Sequence, residues 1–565
     1  MRKPFSIYST WGLQDELGDR VELSEALARK ALQGLRRWRS QAGIQQDIFA
    51  LDAFWFDPRQ GYRHFKQPHW PNGFEPLLGE ILELGMKPGL WYSVNGASLD
   101  VPAWQASRAA DGKSFSLADG PYAEELHAAL LYAAEHWQVR LFKFDFAGFF
   151  TAAAGVVRAP EETYRLSVDR FSEILRDLRR RFPDIWTISH CGFARNHGLS
   201  TPGTPELLAT DPAWLEVMDA AFSGDPQPWD VPQTALTRNL DLFQDPQVWK
   251  MHREGFPLHR IEDHGIIVGD TNTCFYRGRA GFRRSHLAQL ARGGGRDMFY
   301  GDPTLLNDED LAYLSKARGL FFDACRRNLT TRFVGGEPGV APWHGFITGG
   351  GARGLAYLVN PNPHPLIIPL VVPCLAEARV LFHDGRERPA LQTQPDQCAV
   401  ALGPEQMALI GLGGFSDARG DLGADPDAGL PGAMHLLPLR FQVHPDGRWV
   451  AELNEPLPAD TLLHIRVEVC DRAPTGIWTQ PYRFGNQNTH ESADMTPATH
   501  PLVGIRAIKD KADLAPLVRV PDVPVWSGIA WVAASFKADA PLRIEIAQSF
   551  AEPRRLRVAA YALRL

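Results

Sequence analysis

Residues 140–146 read RLFKFDF. Leu141, Phe142, Phe144 and Phe146 give the stretch the pattern of a buried β-strand, yet Lys143 and Asp145 interrupt it. Residues two apart on a strand point to the same face. A lysine and an aspartate sharing one face of an otherwise apolar strand put charge where burial penalises it, so the pair calls for a chemical reason. Working outward, seven more apolar runs of similar length flank this one: FSIYST (5–10), DIFALDAFW (47–55), KPGLWYSV (87–94), DIWTISHC (184–191), LEVMDAAF (215–222), HGIIVGD (264–270) and DMFYGD (297–302). Helical patterns lie between them. In VELSEALARKALQGLRRWRSQAG (21–43), Leu23, Leu27, Ala31, Leu35 and Trp38 recur at three- and four-residue steps, and Gly43 supplies the stop. Further helices are expected from about Glu124 to Trp137 and from about Glu161 to Phe182. Strands alternating with helices over residues 1–330 specify an α/β fold, a (β/α)8 TIM barrel, for which ~250 residues is typical and more with insertions.

Beyond residue 330 the texture becomes one of alternating apolar and polar residues with Gly and Pro turns, as in HGFITGGGARGLAYLVN (344–360) and CAVALGPEQMALIGLG (398–413). This is antiparallel β. A linker rich in Gly, Asp and Ala (413–433) precedes further strands such as LLHIRVEVC (462–470) and LRIEIAQSF (542–550). Two all-β sandwich domains are therefore expected after the barrel, over 331–415 and 434–565, the second of jelly-roll length.

Composition narrows the function classes. The chain has 565 residues, 59 basic and 66 acidic, for a formal charge of −7, and no basic stripe interleaved with aromatics suggests a nucleic-acid partner. Six cysteines, at 191, 274, 325, 374, 398 and 470, show no CxxC pairing, and neither HxH nor HExxH occurs. No metal and no cofactor are expected. MRKPFSIYSTWG at the start lacks an apolar run of signal length, and PLIIPLVVPCL (365–375) is short and cut by prolines, which predicts a soluble, cytoplasmic protein with no membrane partner.

In such a barrel, chemistry gathers where the strands end. The runs deliver Asp52 (second), Lys143 and Asp145 (fourth), His190 (fifth), Asp225 after the sixth, Asp270 (seventh) and Asp302 after the eighth. Aromatic residues crowd alongside, among them Trp11, Trp55, Trp91 and Trp229. Carboxylates and a cation framed by aromatic faces suit a polyhydroxylated sugar, whose C–H faces stack on rings while its hydroxyls meet charged groups. A lone aspartate at a strand end is more often a turn former, and Asp302 before Pro303 reads that way.

KFDF, LDAFWFD, WPNGFEPLLGEILELGMKPGLWYSV and FSGDPQPWD together resemble the clan of retaining α-galactosidases and α-N-acetylgalactosaminidases, glycoside hydrolase families 27 and 36. The likeness covers roughly residues 5–330 and is strongest before 150. It implies an oligosaccharide or small-glycoside substrate, with Asp145 as nucleophile, Lys143 on sugar hydroxyls, Asp225 as acid/base, and Trp11 and Asp52 contacting the sugar. Asp219 and Asp230 are the alternatives to Asp225. Trp55, Trp91, His190, Trp229 and Asp270 complete the expected sugar site, together with Cys191 in SHCGFARNHG, the loop that corresponds to the clan's Cys-containing specificity loop. The chain departs from the clan where Asp52 is followed by Ala53 rather than a second Asp, and where Gly192 replaces a larger residue. Other glycones (α-N-acetylgalactosaminide, α-glucoside, β-L-arabinopyranoside), transglycosylation, or a non-catalytic carbohydrate-binding role are the competing readings. Enzymes of this size and kind often form homo-oligomers.

Overall fold

The computed structural model describes residues 3–16, 22–190, 193, 211–223, 245–262, 266–268, 282–384, 387–425, 434–469, 503–516, 518–520, 530–550 and 552–564. Nine short strands build the first sheet: β1 (Phe5–Ser9), β2 (Ile48–Leu51), β3 (Lys87–Ser93), β4 (Leu141–Asp145), β5 (Trp186–Ser189), β6 (Ala220–Phe222), β7 (Ile261–Glu262), β8 (Ile266–Val268) and β9 (Arg296–Gly301). Neighbours pair in parallel in the order β8-β9-β1-β2-β3-β4-β5-β6-β7. β7 and β8 belong to one stretch of chain. Its start pairs with β6 and its end with β9, so it borders both ends of the sheet and acts as the seventh of eight staves in a (β/α)8 barrel. Its pairing starts at Ile261, three residues before the expected run, and only the last three residues of the sixth run are strand, because Pro212–Glu216 forms a 3-10 turn.

Helices join the strands on the outside. α1 (Trp11–Glu16) follows β1 directly, and α2 (Glu25–Ala42) starts where the Ser24 side chain accepts the Leu27 N–H. It stops at Gly43, whose φ of +64° is the left-handed conformation glycine adopts without strain. The predicted second and third helices are found within two residues of their expected ends, as α4 (Tyr122–His136) and α5 (Pro160–Arg181), after α3 (Glu75–Glu83). α6 (Asp245–Arg253), α7 (Phe282–Ala291) and α8 (Asp308–Arg326) complete the described set. Outward residues of the strands pack under these helices, as Phe144 does edge-on against Phe171 of α5, with ring centroids 5.2 Å apart.

The inward face changes character along each strand, and this change positions the site. Phe5, Ile7, Ile48, Ala50, Leu141, Ile188, Ala220 and Met298 fill the lower barrel as one apolar cluster. One or two steps nearer the C-terminal ends stand Ser9, Asp52, Lys143, Asp145, His190 and Glu262, all buried.

After the barrel come all-β layers. A sheet centred on Arg353–Val359, flanked by His344–Gly350 and Met407–Gly413, shares one core with a three-stranded sheet of Leu366–Val371, Gln397–Leu402 and Ala390–Gln394. In the last part, two five-stranded sheets centred on Thr461–Val469 and Leu542–Gln548 bury Leu463, Ile465, Val467, Ile544 and Ile546 between them. Buried ion pairs tie the units together. Asp245 of α6 accepts from Arg292 of the barrel (2.7 Å) and contacts His344 of the first sandwich (2.8 Å), and Arg284 of α7 pairs with Asp384.

Candidate active site

Lys143 and Asp145 do share the inward face of β4. The Lys143 ammonium donates to Oδ2 of Asp52 at 2.8 Å, and Ser9 Oγ donates to the same oxygen at 3.1 Å. The other oxygen of Asp52 accepts the Ala53 N–H at 2.9 Å. Burial by itself would push the Lys143 ammonium down. The opposing carboxylates of Asp52, Asp145 and Glu262 outweigh it and hold the group above its ordinary value, so it stays a cation.

Asp145 is braced from two sides. Trp91, on the neighbouring strand β3, donates its indole N–H to Oδ2 at 3.2 Å, and the Phe146 N–H donates to Oδ1 at 2.8 Å. Phe146 reaches that position with φ of +49°, a left-handed conformation that a bulky residue rarely adopts and that surrounding structure has to enforce. The rings of Phe146 and Phe54 both lie edge-on to Trp91, with centroids 5.7 and 5.1 Å away, and Phe54 is 38 % exposed at the barrel mouth.

His190 follows β5 and lies flat on Phe222, with centroids 3.7 Å apart and planes at 11°. Its Nδ1 is 3.9 Å from Oδ2 of Asp145, and its Nε2 is 4.0 Å from Oε2 of Glu262. Tyr300 of β9 donates its hydroxyl to Oε1 of Glu262 at 3.3 Å, and its ring lies 5.7 Å below the Lys143 ammonium. Trp11, half-buried, meets the Tyr300 ring edge-on at 6.0 Å.

Of the residues singled out in the sequence, Trp11, Asp52, Trp91, Lys143, Asp145 and His190 therefore come together at the C-terminal end of the barrel. Trp55 does not. It is fully buried behind the strands, its indole N–H donates to the Trp91 carbonyl at 2.8 Å, and Phe65, Tyr92 and Trp137 surround its ring. The hairpin of Phe56–Asp57 and Gly61–Phe65 accounts for this, because it turns the chain back over Trp55 just after the strand end. Asp219 is also removed from the mouth. It precedes β6 at the opposite end of the barrel, where it accepts the Thr187 N–H at 3.0 Å and pairs with Arg179 at 2.8 Å. Asp302 is the expected turn residue, bound to Thr304 and to Lys30 of α2. Cys191, Asp225, Trp229, Asp230 and Asp270 lie outside the described residues. Glu262 and Tyr300 are participants that the sequence reading missed. Tyr300 sits in a recognised strand run, and the alternation of that run was the available signal. Glu262 lies in a two-residue strand that offers no periodicity.

No protein-family model and no curated protein matches the sequence. Among solved structures, the chain is similar to a family 36 α-galactosidase from Geobacillus stearothermophilus in complex with raffinose, with a TM-score of 0.50 and 14 % identity over 73 % of this chain and 56 % of that one. It is also similar to an α-galactosidase from Lactobacillus brevis (TM-score 0.48, 13 % identity, 71 % of this chain and 55 % of that chain). α-Galactosidase I from Mortierella vinacea gives a TM-score of 0.45 at 12 % identity over 74 % of this chain and 98 % of that one. The chain thus spans little more than half the length of the Geobacillus and Lactobacillus proteins. At such identities the likeness is one of architecture: a (β/α)8 barrel followed by all-β sheets, as in the family 36 α-galactosidase structure.

Proposed function

We propose that the protein is a retaining exo-glycoside hydrolase acting on a terminal α-glycoside of galactoside-like type. The observation that carries this reading is the braced Asp145 beside the buried Lys143–Asp52 pair at the mouth of the barrel. A retaining mechanism needs one carboxylate to attack the anomeric carbon and a second carboxyl group ~5–5.5 Å away to protonate the leaving oxygen and then activate water. Asp145 suits the first role: the Trp91 and Phe146 N–H groups fix its orientation, and the cation on its own strand favours the charged form of the attacking group. Asp225 is the proposed acid/base. Lys143 and Asp52 offer a donor and an acceptor side by side, the arrangement that a pair of vicinal sugar hydroxyls meets, and half-buried Trp11 supplies a ring for the C–H face of the sugar, whereas Trp91, 1 % exposed, serves to brace Asp145. Similarity of fold to α-galactosidase structures is in keeping with the reading.

Ala53 leaves the position after Asp52 without a hydrogen-bonding side chain, which favours a glycone that makes one polar contact fewer there. The test is a panel of 4-nitrophenyl α- and β-glycosides (galactose, N-acetylgalactosamine, glucose, L-arabinopyranose), with proton NMR of the first-formed sugar. Turnover of one α-pyranoside that releases the α-anomer first supports the proposal. Release of the β-anomer first refutes retention, and no turnover by folded protein across the panel refutes the α-glycoside assignment.

A further inference from the structure

His190 is an imidazole between two carboxylates. Asp145 of β4 faces one ring nitrogen at 3.9 Å and Glu262 of β7 faces the other at 4.0 Å, while the ring is clamped flat on Phe222 of β6. All three polar residues are at most 9 % exposed. A neutral imidazole carries one N–H and one lone pair, so it would turn a lone pair toward one of these carboxylates. Doubly protonated, it presents an N–H to each, and the two negative charges stabilise the cation in a setting where water screens them little. Of the other charged or titratable groups around this spot among the described residues, Lys143 is a cation attracted by Asp52, Asp145 and Glu262, Arg296 is a cation attracted by Glu262, and the Tyr300 hydroxyl donates to Oε1 of Glu262. Both cations oppose a charge on His190, but the carboxylates of Asp52, Asp145 and Glu262 outnumber them, so the balance favours the charged imidazole.

We propose that Glu262 is a positioning residue that acts through His190, keeping the imidazole doubly protonated and aimed at Asp145. This rests on Asp145 being the nucleophile. In the second half of the reaction, water attacks the anomeric carbon, the bond from that carbon to the Asp145 oxygen breaks, and the bonding pair returns to the carboxylate as the acid/base takes the proton from water. A cation beside Asp145 stabilises that returning charge. Glu262 touches neither sugar nor reacting atoms; its charge sets the state of the group that faces them.

The test uses the full chain labelled at histidine Cε1, with the His190 resonance assigned by comparison with His190→Gln and followed by NMR as pH is varied, in the parent and in Glu262→Gln. Activity against pH is recorded on the same proteins, with a melting curve to confirm folding. The proposal expects His190 to titrate above the ordinary histidine range and to drop by about one pH unit or more when Glu262 loses its charge. The alkaline limb of kcat should move in step, giving roughly tenfold lower kcat near pH 8 with kcat near pH 6 changed far less, and Glu262→Asp should restore most of the shift. A His190 that titrates at or below the ordinary range in the parent, or a pH profile that superimposes in Glu262→Gln, overturns the proposal. A raised titration that depends on Glu262, in a protein that turns over no glycoside, supports the protonated couple and counts instead against the hydrolase reading.

Discussion

The balance of charge at single residues decides how the barrel mouth behaves. Lys143 is 6 % exposed and its ammonium is held by Asp52, which is 2 % exposed. Removing one partner strands the other in a poorly screened interior. Lys143→Met is therefore expected to cost ~3–5 kcal/mol in denaturant unfolding. The double variant Lys143→Met with Asp52→Asn should recover most of that stability while recovering no activity, which separates folding from sugar binding. Trp55 gives the opposite signature. Its ring belongs to the core, so Trp55→Ala should lose ~3–5 kcal/mol of stability, and any protein that remains folded should keep its KM. A rise in KM without loss of stability would return Trp55 to the sugar site.

At the scale of elements, the alternation along β4 carried the fold and the central part of the site, because an inward Lys and Asp two residues apart stand out against Leu141, Phe142 and Phe144. Helices were readable for the same reason: α2 has a cap, an apolar stripe and a glycine stop. What sequence could not convey was depth. Trp55 follows a strand end and reads as a mouth residue until the hairpin after it is known, and Asp219 lies in an apolar run whose first half is a turn, which drops it to the barrel floor. Glu262 needed the pairing of β7 with β6 to be seen at all. The contact between α6 and the first sandwich gives a pH prediction. Burial alone would raise the Asp245 carboxyl, but His344 and Arg292 outweigh it and hold the group below its ordinary value. A depressed folded-state value means that this stabilisation is complete above the unfolded-state pKa of about 3.9 and is lost as pH falls below it. Asp245→Asn should lower stability at pH 7 and flatten the acid limb of the stability curve, measured by urea unfolding between pH 3 and pH 7.

Across the whole molecule, a buried ionic chain links the two β units. Arg466 in the last unit pairs with Glu405 in the first and with Glu468 at 2.9 Å, the Tyr561 hydroxyl donates to Glu405, and Arg557 pairs with Glu468. Arg466 is 1 % exposed, so Glu405→Gln removes a charge that a buried guanidinium depends on. Calorimetry of that variant should resolve a separate, earlier transition for the last β unit, whereas a single transition at the parent temperature would show the units to be coupled by other means. His464 in the same sheet is held down to about 3 by burial and by Arg466. Its contribution is fully present above the unfolded-state value of about 6.5 and declines as pH falls through that range, so the last unit should be the more acid-sensitive of the two. Among the described residues no helix is long and apolar enough to cross a membrane. The central claim, that Asp145 attacks the sugar, is tested most directly by Asp145→Gly assayed with an activated α-glycoside in the presence and absence of azide. The account predicts activity lowered by ~10³-fold or more and restored by azide, with a β-glycosyl azide as the product. Activity near the parent level, or a folded variant that azide fails to rescue, would contradict it.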